Sequence, residues 1–549
     1  MRPSIFLARY GETIMYDFVI VGAGSAGCVL AARLSEDPNV NVLLIEAGGW
    51  DTDPLVRVPL TWVKLLLEQR HDWGYFFEPE ESVESRAIEC ARGKIIGGSS
   101  SVNAMAYVRG NRSDYDRWAN EGLTNWSFEK VLPYFRKLEN WEHGESKYRG
   151  GNGPLRIQNC RYQDPLSDAF LAGAKTLGHS VTEDYNAVQQ EGFGRLQMTI
   201  DRGRRCSSAD AYLRPARTRS NLEVMVGTLV TELIFDGSKV VGVETLRRGQ
   251  TERIHAGSEV ILSAGVINTP QILQLSGIGE SQHLSKIGIK TKVEAPGVGK
   301  NLQDQVSAVS LHGRKDKSPF LSMMRADRIA REFCKAYLLG TGFAADVPGG
   351  VTAFLRTREQ LSSPDLQILL TAAPLVAFPY MKPFRKPFSD GFVIRSVLLD
   401  SASRGVVQIR SSDPTDKPLI RYNFLSVDTD FETLRAGLKL SRELVETPEL
   451  SSFVTQEILP GSAKTSDEDL NDHIRRTAIT LHHPLGTCRM GLEKDSRAVV
   501  DQHLRVKGVD GLRIVDASVM PDLIRGNING PIMMIAEKAS DMILGKAST

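Results

Sequence analysis

Three glycines near the start of the chain are spaced to bind a pyrophosphate. Gly22, Gly24 and Gly27 form a G-x-G-x-x-G pattern between the apolar run YDFVIV and the segment CVLAARLSE. The first glycine permits a tight turn, the second lets backbone approach a phosphate, and the third lets helix and strand pack closely. Glu46 lies 19 residues after Gly27, where a carboxylate can accept from ribose hydroxyls. The pattern predicts a dinucleotide site without separating NAD from FAD; the alternative is a tight turn with a salt-bridged glutamate.

One histidine has neighbours that would fix the direction of its ring. Pro484 favours an extended entry at His483, and Gly486 permits a tight turn beneath it. Histidine can act as a base near neutral pH, so His483 could remove a substrate proton; the alternative is a packed structural histidine. Neighbours in an extended segment point to opposite faces. We therefore expect that His482 does not face the same reacting group and is structural or pocket-lining.

A third segment is rich in small residues and hydrogen-bond donors. Residues 92–116 read RGKIIGGSSSVNAMAYVRGNRSDYD, in which Gly97 and Gly98 are followed by three serines and Asn103. Such a turn suits close approach to a flat polar ring or a phosphate. The alternative is a glycine-serine surface loop.

The elements that must position these residues recur at three places in the chain. The first glycine motif lies in a β-α-β unit that ends at Glu46. Residues 221–244 alternate like hairpin strands with Asp236-Gly237 as the turn, and buried-type strands are predicted at 259–263 and 511–515. The pattern predicts one domain assembled from discontinuous pieces and a second domain formed by the other segments.

Composition excludes several classes of protein. The chain has 549 residues, 41% of them hydrophobic and 24% charged, which is typical of a large α/β enzyme. A net charge of +1 gives no electrostatic footprint for nucleic acid or an anionic membrane. Six scattered cysteines without a CxxC pair argue against a disulfide scaffold, a zinc ribbon or a thioredoxin-type site, and we predict no metal.

The sequence also suggests where the protein works. No apolar stretch reaches the length of a membrane span, and no signal peptide is recognisable. We expect a cytoplasmic protein, and we interpret residues 1–14 as a dispensable extension.

Further motifs occur in a fixed order along the chain. They are GVINTPQILQLSGIG (265–279), GVGKNLQD (297–304), SRG (403–405) with SDP (412–414), HPLGTCRMG (483–491) and VDASVMP (515–521). Together with residues 92–116, they resemble the signatures of the glucose-methanol-choline (GMC) oxidoreductases, and the resemblance spans Tyr16 to Leu544. The overall texture is most similar to choline-dehydrogenase-like and aliphatic-alcohol dehydrogenases of bacteria.

The resemblance implies a cofactor and assigns roles to residues. It implies FAD rather than NAD, with His483 as the catalytic base and Asn527 as the second catalytic residue, whose amide can donate to the substrate oxygen. With the glycine motif and Glu46 included, we expect FAD to be bound by Gly22, Gly24, Gly27, Glu46, Ala47, Arg92, Gly97, Gly98, Ser99, Asn103, Ala104, Val230, Asp516, Ala517, Asn529 and Pro531.

The implied fold is α/β, with a Rossmann-like FAD-binding domain and a mixed sheet-and-helix substrate-binding domain. We assign residues 15–155, 216–311 and 475–549 to the FAD-binding domain, the last with the catalytic residues. Residues 156–215, which include a connection, and 312–474 are assigned to the substrate-binding domain.

Two positions depart from the family pattern. Some members tether FAD through a histidine one residue before the asparagine of the first signature, and here that residue is Val102. The resemblance therefore implies that FAD is bound without a covalent link. The family's NLQDH segment ends in Gln305 here, so the lining of the active site is left open at that point.

The expected reaction is oxidation of a primary or secondary alcohol to an aldehyde or ketone, with hydride transfer to flavin N5. We expect the electrons to pass to a quinone or an artificial acceptor rather than to O2, and quinone use would imply peripheral contact with the inner membrane. The alternatives are an alcohol oxidase that uses O2, and a non-redox flavoprotein resembling hydroxynitrile lyases or light-driven fatty-acid decarboxylases. No acidic and aromatic cage for a quaternary ammonium group is evident, so choline is not favoured over other primary alcohols.

Overall fold

The structure is a computed structural model that describes residues 15–546, so our interpretation of residues 1–14 concerns residues outside this range. Its strands, in chain order, are β1 (Tyr16–Val21), β2 (Val42–Glu46), β3 (Glu139–Trp141), β4 (Leu155–Asn159), β5 (Gly192–Arg195), β6 (Gln197–Met198), β7 (Ile200–Asp201), β8 (Arg204–Arg205), β9 (Leu222–Val226), β10 (Leu229–Asp236), β11 (Lys239–Arg247), β12 (Gln250–Leu262), β13 (Ile278–Gly279), β14 (Val293–Glu294), β15 (Lys300–Leu302), β16 (Val306–Arg314), β17 (Val351–Leu355), β18 (Leu366–Thr371), β19 (Gly391–Leu398), β20 (Gly405–Gln408), β21 (Leu419–Arg421), β22 (Val454–Leu459), β23 (Ile479–Thr480) and β24 (Leu512–Ile514).

Helices lie between these strands along the whole chain. They are α1 (Ser25–Leu34), α2 (Pro54–Arg57), α3 (Trp62–Leu67), α4 (Arg112–Asn120), α5 (Phe128–Leu138), α6 (Pro165–Thr176), α7 (Arg214–Ala216), α8 (Gly265–Leu275), α9 (Ser281–Lys286), α10 (Pro319–Met323), α11 (Ala326–Leu339), α12 (Asp428–Glu446), α13 (Pro448–Ser451), α14 (Asp467–Thr477) and α15 (Asn529–Ile543).

The first large sheet has seven strands in the order β10-β11-β12-β1-β2-β9, with β24 beside β12. Strands β1, β2 and β9 run parallel, β12 runs parallel to β1 along its second half, and β24 runs parallel to β12. β1 and β2 are apolar and buried, as expected of parallel strands covered on both faces. The sheet takes its strands from the beginning, the middle and the end of the chain, and the predicted β-α-β unit is confirmed.

One strand serves two pairings. The first half of β12 pairs antiparallel with β11, and its second half pairs parallel with β1. The predicted hairpin is confirmed for β10 and β11, which turn at Asp236 and Gly237. The prediction was wrong for β9, which pairs parallel with β2 instead of joining the hairpin. Alternating residues cannot distinguish these pairings, because the partner of a parallel strand is distant in sequence.

The second large sheet is antiparallel, with the order β22-β16-β19-β18-β17-β5 and β23 beside β16. Helix α12 packs on β19 and β16, with α14 next to it. The two sheets and their helices give the predicted α/β fold class, while the exact domain boundaries remain a prediction. Of the helices within residues 15–546, none is long and apolar enough to cross a bilayer.

Candidate active site

The G-x-G-x-x-G turn joins β1 to α1, and its three glycines meet three different surroundings. Gly22 has φ +98°, and a Cβ there would lie 2.5 Å from the carbonyl oxygen of Ser263. A Cβ on Gly27 would overlap the carbonyl oxygen of Gly22. A Cβ on Gly24 would meet only open space. Two glycines therefore close the turn, and the third exposes backbone to a cavity.

The second glycine-rich loop packs directly against the first. It forms a 3-10 turn at Gly98–Ser101, with Gly97 at φ +84° and Gly98 at φ +52°. The Gly97 amide donates to the carbonyl of Ala23 over 2.7 Å, and a Cβ on Gly98 would lie 2.7 Å from Gly24 Cα. Segments more than 70 residues apart in sequence thus form one continuous wall that only glycine backbone permits.

Two buried carboxylates lie at the ends of strands in the first sheet. Glu46 accepts from the amides of Ala23 (2.9 Å) and Gly48 (2.7 Å), and burial raises its pKa to about 7. Asp516 follows β24 and accepts from the Gly265 amide (2.8 Å) at the start of α8, and burial raises its pKa too. Each carboxylate fixes a turn and lines the cavity, where it can accept a further hydrogen bond.

A cavity of about 990 Å³ joins the two glycine loops to the second sheet. This volume is at the upper end of the usual range for ligand pockets, about 300–1,000 Å³. The predicted cofactor residues that line it are Gly22, Gly24, Glu46, Ala47, Arg92, Gly98, Ser99, Asn103, Ala104, Val230, Asp516, Ala517 and Asn529. An open glycine backbone, serine donors and acceptor carboxylates in one large cavity fit a dinucleotide.

Three predicted cofactor residues lie behind the cavity wall. Gly27 packs on Gly22, Gly97 bonds to Ala23, and Pro531 lies in the first turn of α15. Asn529, at the start of the same helix, accepts from the Ser25 hydroxyl over 2.7 Å and so joins the N-termini of α15 and α1.

The predicted catalytic pair is brought together in this cavity. The Nδ2 atom of Asn527 lies 3.0 Å from Nε2 of His483, although the residues are 44 positions apart. On its other side, the His483 ring contacts Gln305, with 2.7 Å between Nδ1 and Oε1. Asn527 Oδ1 is buried and has no hydrogen-bond partner among residues 15–546. The pair therefore has an unused polar atom that a polar ligand could satisfy.

The hydrogen bonds of Gln305 fix the tautomer of His483. Gln305 Nε2 donates to the carbonyls of Ile524 (2.9 Å) and Gly526 (3.3 Å). Its Oε1 must therefore face the imidazole and can only accept, so Nδ1 of His483 carries the proton. The lone pair on Nε2 is left facing Asn527. The sequence identified position 305 as a departure from the family pattern but did not reveal this contact.

The segment before Gln305 also holds the histidine backbone. Asp304 accepts from the His483 amide over 3.0 Å and from the Thr480 hydroxyl, and burial raises the pKa of Asp304 to about 6. The pKa of His483 is lowered to about 3 by burial and by the positive charges of Arg92 and His482. The imidazole is therefore neutral near pH 7, which is the form that accepts a proton.

The premise of an extended backbone at His482 was wrong. His482 has φ +62°, so the backbone there is left-handed instead of extended, and both rings line the same cavity. Its Nδ1 is buried without a partner among the described residues. Arg92 donates to the His482 carbonyl over 2.6 Å and supports this conformation. The alternative interpretation of His482 as pocket-lining is confirmed.

The sequence did not identify the residues that form the cavity wall outside the first sheet. This wall includes α3, the start of α10, the end of β18 and the middle of β19, and its members are mainly apolar. Arg395 in β19 is an exception, and its position inside the apolar run GFVIRSVL was a signal that could have been noticed.

Comparison with known proteins now decides the family. Two models described as GMC oxidoreductase match residues 16–307 and 401–536. The chain belongs to the GMC oxidoreductase family. The predicted resemblance to its choline-dehydrogenase-like members is confirmed by curated relatives, and as a member of this family the chain is an FAD-dependent oxidoreductase acting on CH–OH donors.

Two curated relatives illustrate the match. A mitochondrial choline dehydrogenase of Mus musculus is 41% identical over 96% of this chain and 89% of that protein. An oxygen-dependent choline dehydrogenase of Rhizobium etli is 41% identical over 96% of both chains.

Solved structures of two GMC-type flavoenzymes share the fold. Pyridoxine 4-oxidase from Mesorbium loti superposes with a TM-score of 0.86 at 33% identity, covering 96% of this chain and 99% of that one. A formate oxidase of Aspergillus oryzae, in a study of FAD modification, gives a TM-score of 0.88 at 27% identity, covering 97% and 99%.

Proposed function

We propose that this GMC oxidoreductase oxidises a primary or secondary alcohol to an aldehyde or ketone, with His483 as base and Asn527 orienting the substrate oxygen. The observation that carries the proposal is the 3.0 Å contact between His483 Nε2 and Asn527 Nδ2 in the wall of the glycine-lined cavity. Names of the curated relatives, which are choline dehydrogenases, support an alcohol as the donor.

The cofactor would be held by groups already in place. Gly24 leaves open backbone for the phosphates, Gly98 packs directly against it, Glu46 offers an acceptor to the ribose, and Asn529 lies at the start of α15. Val102 lines the cavity where some family members have the tethering histidine, so we infer that FAD is bound without a covalent link. When bound, FAD accepts the hydride and its electron pair from the carbinol carbon.

The proton of the substrate hydroxyl passes to His483. Its Nε2 carries the lone pair because Nδ1 donates to Gln305, and the neutral ring is ready to accept. As the hydroxyl loses its proton, the negative charge that develops on oxygen is stabilised by an N–H of Asn527. The imidazolium that forms keeps its Nδ1 hydrogen bond to Gln305, so the ring does not have to turn.

Replacement of His483 tests the base assignment. We expect that the holoenzyme bleaches its visible flavin band anaerobically when primary alcohols are added. His483→Ala should retain the yellow cofactor and lose about 10²- to 10⁴-fold in the bleaching rate, the usual contribution of a general base. His482→Ala is the matched comparison and should lose far less. Normal bleaching by His483→Ala, or its loss only in His482→Ala, would overturn the assignment.

Admission of air then identifies the electron acceptor. We infer that a quinone or an artificial dye serves better than O2; the mitochondrial relative is named a dehydrogenase, whereas the Rhizobium etli relative is named oxygen-dependent. Slow recovery of the flavin band in air with rapid recovery on adding a quinone would support this choice. Rapid recovery in air alone would make the protein an oxidase. A flavin band that no alcohol bleaches, at any chain length, would contradict alcohol oxidation itself.

A further inference from the structure

The part of the cavity wall that lies outside the first sheet and the glycine loops is mainly apolar. Its side chains come from α3, from the segment around α10 and from the second sheet, and include Leu60, Trp62, Phe320, Met324, Leu370 and Phe378. Such a wall stabilises the hydrocarbon part of a substrate through burial of apolar surface. An apolar wall cannot bind a charged group of a substrate. A charged residue within this wall therefore determines which substrates fit.

Within residues 15–546, the carboxylates of the cavity either lie at the first sheet, where the cofactor would bind, or are already paired with a cation. The acidic residues that line the cavity are Glu46, Glu68 and Asp516. Glu46 and Asp516 are engaged by backbone amides of the first sheet and its loops. Glu68 is half-exposed and forms an ion pair with Lys64 on α3.

Two guanidinium groups of the cavity wall, Arg395 and Arg92, make no salt bridge within residues 15–546, and Arg395 is the one that lies in the second sheet. Arg395 lies in the middle of β19, between Val309 of β16 and Leu369 of β18. Its Nη1 donates to the Ser307 hydroxyl over 3.0 Å. Burial lowers its pKa to about 10, with no nearby carboxylate to offset the effect, so it remains a cation near pH 7. The other guanidinium of the wall, Arg92, donates to the carbonyls of Ala91 and His482.

Arg395 lines the same cavity as the candidate catalytic residues. Its charge contributes to the lowered pKa of His482, whose ring lines the cavity next to His483. A substrate group bound to Arg395 would therefore lie in the same cavity as the carbinol that His483 deprotonates. A guanidinium with free N–H groups matches the geometry of a carboxylate, which it can bind through two parallel hydrogen bonds.

We propose that Arg395 binds a carboxylate carried by the alcohol substrate, so that the preferred donors are hydroxy acids and not quaternary ammonium alcohols. The inference rests on the proposed alcohol oxidation and specifies its substrate class. A trimethylammonium group would meet two guanidinium groups and no available carboxylate, which disfavours its desolvation. The choline named for the curated relatives is therefore not expected to be the substrate of this chain.

Binding without turnover tests the site separately from catalysis. Butanoate lacks a hydroxyl, so its binding to the oxidised holoenzyme is read from the shift of the visible flavin band. We expect Arg395→Gln to weaken butanoate binding about 10- to 100-fold, the effect of losing a charged hydrogen bond. Arg356→Gln removes the same charge from an exposed arginine that pairs with Glu191 outside the cavity, and should change nothing. Arg395→Lys keeps the charge and should recover part of the affinity.

Turnover provides the second measurement. Anaerobic bleaching is compared for 4-hydroxybutanoate, 1-butanol and choline. We expect Arg395→Gln to raise KM for 4-hydroxybutanoate about 10- to 100-fold and to leave 1-butanol nearly unaffected. Equal butanoate affinity in wild type and Arg395→Gln, or faster bleaching by choline than by 4-hydroxybutanoate, would overturn the inference.

The two measurements separate the inference from the proposed function. If butanoate binds in a manner that depends on Arg395 and no alcohol bleaches the flavin, the anion site stands and alcohol oxidation is contradicted. If alcohols bleach the flavin and butanoate binds equally well without Arg395, the proposed alcohol oxidation is supported and the proposed substrate class is wrong.

Discussion

Gln305 and His483 form a hydrogen bond of 2.7 Å that determines which imidazole nitrogen is free. Both hydrogens of the Gln305 amide face carbonyls, at Ile524 and Gly526, so the amide cannot turn over without losing them. The glutamine thereby acts as a positioning residue for the base. Its segment also provides Asp304, which holds the His483 backbone, so one stretch of chain fixes both the main chain and the ring.

Replacing this glutamine should change catalysis without removing the cofactor. Gln305→Leu takes away the acceptor for Nδ1–H, and we expect kcat/KM for alcohols to fall about 10- to 100-fold. Gln305→Glu keeps an acceptor and adds a negative charge, which raises the pKa of His483 and moves the acidic limb of the pH profile upwards. The check is kcat/KM against pH for both variants. An unshifted profile for Gln305→Glu would contradict the positioning role.

The pH dependence of the wild-type enzyme follows from the burial of His483. Its pKa is lowered to about 3 from an ordinary value near 6.5, so the neutral base persists well into the acidic range. We expect kcat/KM for a neutral alcohol to be flat through pH 6.5 and to decline only as the pH falls towards the lowered pKa. The measurement is stopped-flow bleaching between about pH 5 and 8, the range in which proteins tend to be most stable. A half-maximal rate near pH 6.5 would show that the ring is more solvated than its burial indicates.

The glycines of the two loops should respond differently to a methyl group. Gly24→Ala meets open space, so we expect a stable protein whose affinity for FAD falls at least about tenfold, because the new Cβ occupies room meant for the ligand. Gly27→Ala overlaps the Gly22 carbonyl and should lower the free energy of unfolding by about 1–3 kcal/mol. Apoprotein melting and FAD titration separate the two effects. Unchanged FAD affinity in Gly24→Ala would place the cofactor elsewhere.

The absence of a tether at Val102 predicts release of the flavin. After denaturation in acid, all yellow colour should remain in the supernatant, because valine offers no atom that bonds to the flavin ring. Val102→His tests whether the position alone is enough for attachment. Flavin that stays with the wild-type precipitate would show a covalent link through another residue.

The sequence alone determined the features that depend on residues close together in the chain. The G-x-G-x-x-G turn, the strand before it and the helix after it depend on neighbouring residues, and the structure contains all three. The ordered motifs identified the GMC family, which the family models confirm. The same motifs predicted His483 and Asn527 as the catalytic pair.

Only the tertiary structure decided what surrounds that pair. The left-handed backbone at His482 turns its ring into the cavity, and no sequence period indicates such a conformation. The bond between Gln305 and His483 joins segments 178 residues apart. Within the part of the chain that the structure describes, Arg395 has no carboxylate partner because the neighbouring strands of the second sheet place Val309 and Leu369 beside it. Hydrogen-bond partners, burial and unpaired charge depend on contacts between distant segments, so they exist only once the chain has folded.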